Sequence, residues 1–209
     1  MAVAGAELRM LVLAPDVDGC VGIDVDSGAF VRAIFPSPAP EALEAFDITS
    51  APIGEPLDPP DTVRPEAVVL AAPPQRIATL PPRRAERYLQ ALRHPPHGPL
   101  LGFQGVSTPY WTLVGDRPSL ALVEPSDGPL MLATDTGYDC RFGWQGTVHQ
   151  FPLGDRRLTD QLLALRTRRS SPREVTRLLG FRPGRLLLVV AGPSGGHCTK
   201  QVAALLPGR

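Results

Sequence analysis

Three cations in this chain stand on apolar, strand-like runs. Arg32 follows Phe30-Val31, Arg141 begins the run Arg141-Phe142-Gly143-Trp144, and Lys200 precedes Gln201-Val202-Ala203-Ala204. An arginine beside an aromatic on a strand is poor core material and well shaped to grip a phosphate, a carboxylate or a base. Tyr110 and Trp111 follow the polar stretch Ser107-Thr108-Pro109, and Phe103 precedes it. Aromatic faces interleaved with guanidinium groups hold single-stranded nucleic acid by stacking and charge. The candidate ligand-binding residues are therefore Phe30, Arg32, Tyr110, Trp111, Arg141, Trp144 and Lys200. The competing reading places most of these rings in the core.

Other constellations point to no reaction. Ala191–Lys200 (AGPSGGHCTK) follows an apolar run, is rich in glycine and contains a lysine. A phosphate-binding loop needs glycine directly before the lysine and a hydroxyl directly after it. Here Thr199 precedes Lys200 and Gln201 follows, so a β-hairpin turn is the better account. His197, Cys198 and Cys140 lack the paired spacing of a zinc site. Asp16-Val17-Asp18-Gly19 and Asp24-Val25-Asp26-Ser27-Gly28 lack the twelve-residue loop with terminal glutamate that binds calcium, and turn chemistry explains both. The four histidines (94, 97, 149 and 197) have no evident catalytic partners. The expectation is a non-catalytic protein with no cofactor and no metal.

The elements that must carry these residues are mostly short strands. Leu8–Ala14, Cys20–Val25 and Ala29–Phe35 are apolar runs separated by Asp/Gly turns, the pattern of an antiparallel meander. A short helix is expected at Glu41–Phe46, a strand at Ala51–Gly54 and a buried strand at Glu66–Ala72. Ala85, Leu89 and Leu92 recur at helical spacing between Pro81-Pro82 and Pro95-Pro96, which predicts a helix over Arg83–His94. Strands are then expected at Leu100–Phe103, Tyr110–Val114, Leu120–Val123 and Leu130–Ala133. A hairpin of Asp139–Trp144 with Thr147–Leu153 turns at Gln145-Gly146. Two helices follow. Leu158–Arg166 lines up three leucines, and Ser171–Leu179 begins with a capping box and closes at Gly180. The last strand is Arg185–Ala191, and Thr199–Leu206 reads as strand or helix.

Composition bounds the class. The chain has 209 residues, 43% of them hydrophobic, with 25 Pro and 20 Gly, which favours a turn-rich β protein over a disordered or long-helical one. The formal net charge of zero is a cancellation. Residues 1–70 hold twelve acids against three arginines, whereas residues 155–209 hold eleven Lys/Arg against three acids. Arg156, Arg157, Arg166, Arg168, Arg169, Arg173 and Arg177 would form a positive helical ridge able to touch phosphate, or a solvated face. Three scattered cysteines imply buried thiols in a reducing compartment. The first ten residues lack the pattern of a secretory leader, and no apolar run spans a bilayer. A cytoplasmic location with no membrane partner is expected.

Two passages together resemble the bacterial family described as the dual OB-containing domain. One is Asp18–Ala33, where Cys20-Val21-Gly22-Ile23 leads through Gly28 to Phe30-Val31-Arg32. The other is the strand-turn-strand LLLVVAGPSGGHCTKQVAAL with Lys200 before Val202-Ala203-Ala204. Fainter likenesses are Gly105–Tyr110 and the hairpin Cys140–Leu153 leading to Asp155. Where that family usually has proline after the arginine and an aromatic before the lysine, this chain has Ala33 and Thr199.

The resemblance implies a mainly β (α+β) chain of two small OB-like barrels. Residues 1–80 would form the first, 81–97 a connecting helix and linker, and 98–209 the second, with a helix pair inserted at 158–180. By analogy of fold it implies binding of single-stranded DNA, RNA or a nucleotide-like anion. The alternative is a protein-protein interaction or scaffold subunit of a bacterial defence or repair system.

Overall fold

A computed structural model describes residues 4–37, 42–90, 92, 94, 98–114 and 117–208. It is mainly β. The chain divides into two compact units, one of residues 1–92 with 113–120 and the other of residues 93–112 with 121–209.

In the first unit, β1 (Glu7–Asp16), β2 (Gly19–Asp24) and β3 (Phe30–Ile34) form the expected antiparallel meander. Asp24 sets the turn between the last two. Its carboxylate accepts from the Asp26 N–H at 3.0 Å and from the Ser27 hydroxyl at 2.5 Å. β4 (Asp47–Pro52) returns antiparallel to β1, and β5 (Ala67–Val69) runs parallel to β3. β6 (Gln75–Thr79) extends the sheet beyond β4, giving the order β5-β3-β2-β1-β4-β6.

The sheet also curls onto itself. An antiparallel bridge joins Ile53 to Leu70, just past the ends of β4 and β5. The Gly54 N–H donates to Val69 O and the Ala71 N–H to Pro52 O, each at 2.8 Å. The interior holds Met10, Val12, Cys20, Val31, Ala33, Ala51 and Leu70. β2 approaches β1 closely because residue 22 is glycine. A Cβ there would strike the Leu11 carbonyl oxygen and the Met10 side chain.

Several expectations for this unit are corrected. Among residues 42–46 there is no helix, and Glu41 lies outside the described residues. The chain turns instead, with Phe46 at φ 75° and the Asp47 carboxylate accepting from the Glu44 N–H at 2.9 Å. That turn starts β4 at Asp47, four residues before the expected strand. Glu66–Ala72 contains a strand of three half-buried residues, not a long buried one. β6 was not expected at all. The helix α1 (Pro82–Gln90) buries Ala85 and Leu89 and begins on the proline pair. Of the stretch expected to prolong it, residues 91 and 93 lie outside the description.

The second unit is built on another meander. β7 (Ser107–Pro109) and β8 (Leu120–Val123) precede it. β9 (Leu130–Thr134), β10 (Gly137–Trp144) and β11 (Thr147–Pro152) then pair in sequence. The helix α2 (Arg156–Ala164) is capped by Asp155, whose carboxylate accepts from the Leu158 N–H at 3.0 Å. β12 (Arg169–Ser170) adds to β9, and α3 (Pro172–Leu179) follows with its capping box and left-handed Gly180 in place.

β13 (Pro183–Ser194) and β14 (His197–Pro207) make a long hairpin in a second sheet, ordered β7-β14-β13-β8. A parallel bridge from Leu153 to Val202 links the meander to β14, and the Gly154 N–H donates to Val202 O at 2.8 Å. Thr199–Leu206 is thus strand, as one of its two readings held. Leu100–Phe103 and Tyr110–Val114 are not strands. Leu100–Gly102 and Tyr110–Thr112 are single 3₁₀ turns. Among the described residues no helix is long and apolar enough to cross a membrane.

Candidate functional site

The segment 98–112 is tied to the start of β14. Ser107, Thr108 and Pro109 of β7 pair with Thr199, Cys198 and His197, and the Tyr110 N–H donates to Gly196 O at 3.1 Å. The Thr112 hydroxyl donates to Pro109 O at 2.7 Å and closes the 3₁₀ turn; it also lies 2.9 Å from the Thr108 hydroxyl. This turn throws both rings outward. Tyr110 is 45% exposed and Trp111 62%. Their centroids are 5.4 Å apart at 82°, an edge-to-face pair. Trp111 also lies 6.4 Å from the His197 ring and packs over the Gly195-Gly196 turn, where a Cβ on Gly196 would be 3.7 Å from the indole.

Lys200 stands three residues further along β14, yet it does not join this exposed group. Its side chain is 3% exposed. The Nζ donates to Phe103 O at 2.6 Å and lies 4.2 Å from the Phe103 centroid and 5.7 Å from that of Phe151. The Lys200 N–H donates to Val106 O at 2.8 Å. Lysine thus holds the aromatic segment from behind. Burial lowers its pKa to about 8. Beside it, burial and then the Lys200 charge lower the pKa of His149. The His149 ring sits between Phe142 at 5.5 Å and Phe151 at 5.6 Å.

The other expected residues are scattered. Trp144 is 8% exposed at the end of β10, with His94 edge-on at 5.5 Å. Arg141 is exposed at mid-strand, opposite Gln150 on β11 and Leu130 on β9. In the first unit, Phe30 is half-buried at the start of β3. Arg32 is 3% exposed, with Nε 3.4 Å from the Asp16 carboxylate. Burial lowers its pKa and Asp16 opposes that shift. Asp18 and Asp61 hold Arg64 next to it.

Of the seven residues, only Tyr110 and Trp111 meet as an open pair. Arg32, Trp144 and Lys200 are buried, each among partners of its own unit.

Sequence reasoning missed His197 as a member of the ring group. Its signal was position: it directly follows the Gly195-Gly196 turn of the β13–β14 hairpin. Gly192-Pro193-Ser194-Gly195-Gly196 also has the G-x-S-x-G spacing of a nucleophile elbow. An elbow needs a strand-to-helix turn, and here the residues connect two antiparallel strands. Compared with protein-family models, curated proteins and solved structures, the chain matches none.

Proposed function

We propose that the chain is a non-catalytic binding protein of two OB-type barrels, and that the second holds single-stranded nucleic acid by stacking bases on Tyr110, Trp111 and His197. The OB reading is supported by strand pairing. In each unit a three-stranded meander is followed by a strand running parallel to its third member. In the first unit that pairing is β3 with β5, and β4 returns to β1. In the second it is the Leu153–Val202 bridge to β14, while β13 meets β8. OB-folds present ligands to the loop between their last two strands, among other places. In the second unit that loop is the Ser194–His197 turn, which carries His197 and against which Trp111 packs.

The observation that carries the proposal is the exposure of Trp111 within a fixed ring group. A large aromatic that contributes little to the core, is held edge-on by a neighbour and lies on a glycine turn is a stacking surface. Stacking accepts any base, since every base has a π-face. Charge favours the same ligand: the second unit has thirteen Lys/Arg against seven Asp/Glu. Long-range attraction then draws in a polyanion.

The test is fluorescence anisotropy with labelled twelve-nucleotide oligo-dT and oligo-U at 50 mM salt. Trp111→Ala is expected to lose about tenfold in affinity, the worth of one stacked base. The protein has two tryptophans, and Trp111 is the exposed one, so wild-type emission is expected to quench on binding. Equal affinity of the variant, or no binding by the wild type, overturns the stacking site. No binding would leave the scaffold reading ahead.

A further inference from the structure

We infer that the connector from α2 to α3, together with α3 itself, is a second nucleic-acid surface, one that tracks the phosphate backbone and requires no unpaired base. Between residues 166 and 182 the chain carries Arg166, Arg168, Arg169, Arg173, Arg177 and Arg182, and all six are exposed. Among the described residues none of them lies within 4.0 Å of a carboxylate. The stretch has one acid, Glu174. Its carboxylate is already committed to the capping box, accepting from the Ser171 N–H at 2.7 Å and the Ser171 hydroxyl at 2.8 Å. That engagement lowers the Glu174 pKa, so it stays ionised but directed at the backbone.

The arginines are mounted on fixed backbone. Arg169 lies in β12, opposite Leu132, while its neighbour Ser170 is buried opposite Met131. The Arg168 carbonyl accepts from the Ala133 N–H at 2.9 Å. The Tyr138 hydroxyl reaches under the connector to Thr167 O at 2.6 Å and Leu162 O at 3.1 Å. Arg173 and Arg177 share one face of α3, four residues apart, while Val175 faces inward.

Six exposed arginines against the single Glu174 leave this stretch with an excess of positive charge, whose self-repulsion is a cost. An anionic backbone removes the cost. Guanidinium forks match phosphate oxygens in pairs, and each contact releases condensed counterions.

The inference goes beyond the stacking site and fails separately from it. Wild type, Trp111→Ala and the triple variant Arg168→Gln/Arg169→Gln/Arg173→Gln are titrated with a blunt twenty-base-pair duplex from 50 to 200 mM salt. Wild type is expected to bind with a steep salt slope. The triple variant is expected to lose at least tenfold at 50 mM salt, with its slope shallower by about 0.9 for each phosphate contact removed. Trp111→Ala is expected to match wild type on the duplex.

The three arginines are exposed, so an unchanged thermal melt separates lost contacts from lost fold. The inference is overturned if the triple variant keeps the wild-type affinity and slope, if wild type ignores the duplex, or if polyglutamate or phosphatidylserine vesicles compete as well as the duplex does.

Discussion

Lys200 Nζ donates to the Phe103 carbonyl oxygen at 2.6 Å and lies 4.2 Å from the centroid of the same residue's ring. One side chain thus fixes both the backbone and the ring of a residue 97 positions away. The contact gives the 98–106 segment its footing on β14, and the Tyr110–Trp111 turn follows directly from that footing.

The first prediction concerns pH. Burial holds the Lys200 pKa down at about 8 in the folded protein, whereas in the unfolded chain the amine titrates near its ordinary value. Below pH 8 the amine is charged in both states, and the cost of burying it is felt in full. Above pH 8 the folded form releases its proton while the unfolded form keeps it, so the cost fades and stability rises with pH. Lys200→Met fills the space without a titrating group. The difference in urea midpoint, wild type minus variant, is expected to climb between pH 7.5 and 10. The buried Cys20 and Cys140 thiols, pushed up by burial, act in the opposite sense but equally in both proteins. Parallel profiles would show that Lys200 is not desolvated as described.

How much of this was legible in the residues depended on how local the cause was. The meander of Leu8–Phe35, the Gln145-Gly146 hairpin and the Ser171 capping box were legible, because each is set by side chains a few positions apart. β6 was not, since Gln75-Arg76-Ile77-Ala78-Thr79 is exposed throughout and has no apolar alternation. It exists because Asp47 accepts from the Thr79 hydroxyl at 2.6 Å and pairs with Arg76 at 3.6 Å. The candidate site shows the same division. Tyr110 and Trp111 were legible as aromatics, but their turn depends on β14, nearly ninety residues later. Residue type alone made Arg32 and Lys200 look like ligand contacts. Their burial was decided by Asp16 and Phe103, distant partners that no local pattern discloses.

The second prediction concerns the close approach of β2 to β1. Gly22 pairs with Val12 on one side and Val31 on the other. Its backbone is extended, so alanine would be conformationally acceptable, and the objection is space alone. A Cβ would meet the fixed Leu11 carbonyl as well as the flexible Met10 side chain. Gly22→Ala is expected to destabilise the first unit by about 1–3 kcal/mol, the usual cost of overpacking. Gly28→Ala, at a turn with open space around it but φ 73°, probes the opposite case, conformational strain without a clash. Chemical denaturation of both variants checks the pair. A Gly22→Ala protein as stable as wild type would mean that β1 and β2 are further apart than described.

The third prediction links a buried hydroxyl to the arginine surface. Tyr138 is 5% exposed, and its hydroxyl serves the carbonyls of Thr167 and Leu162, where α2 ends and the connector begins. Tyr138→Phe keeps the ring packing and removes the hydroxyl donor to Thr167 O, while Leu162 O keeps the Thr167 N–H at 3.4 Å. The expected loss is about 1–2 kcal/mol of stability, the range for a buried acceptor deprived of its partner. The consequence should reach the surface as well, because Thr167 lies between Arg166 and Arg168. Native-state hydrogen exchange is expected to speed up at the 166–170 amides while those of β10 stay protected. Duplex affinity should then fall by a small factor, well short of the loss in the triple arginine variant, because the charges remain and only their placement is loosened. If Tyr138→Phe leaves both exchange and stability at wild-type values, the hydroxyl is not what holds the connector in place.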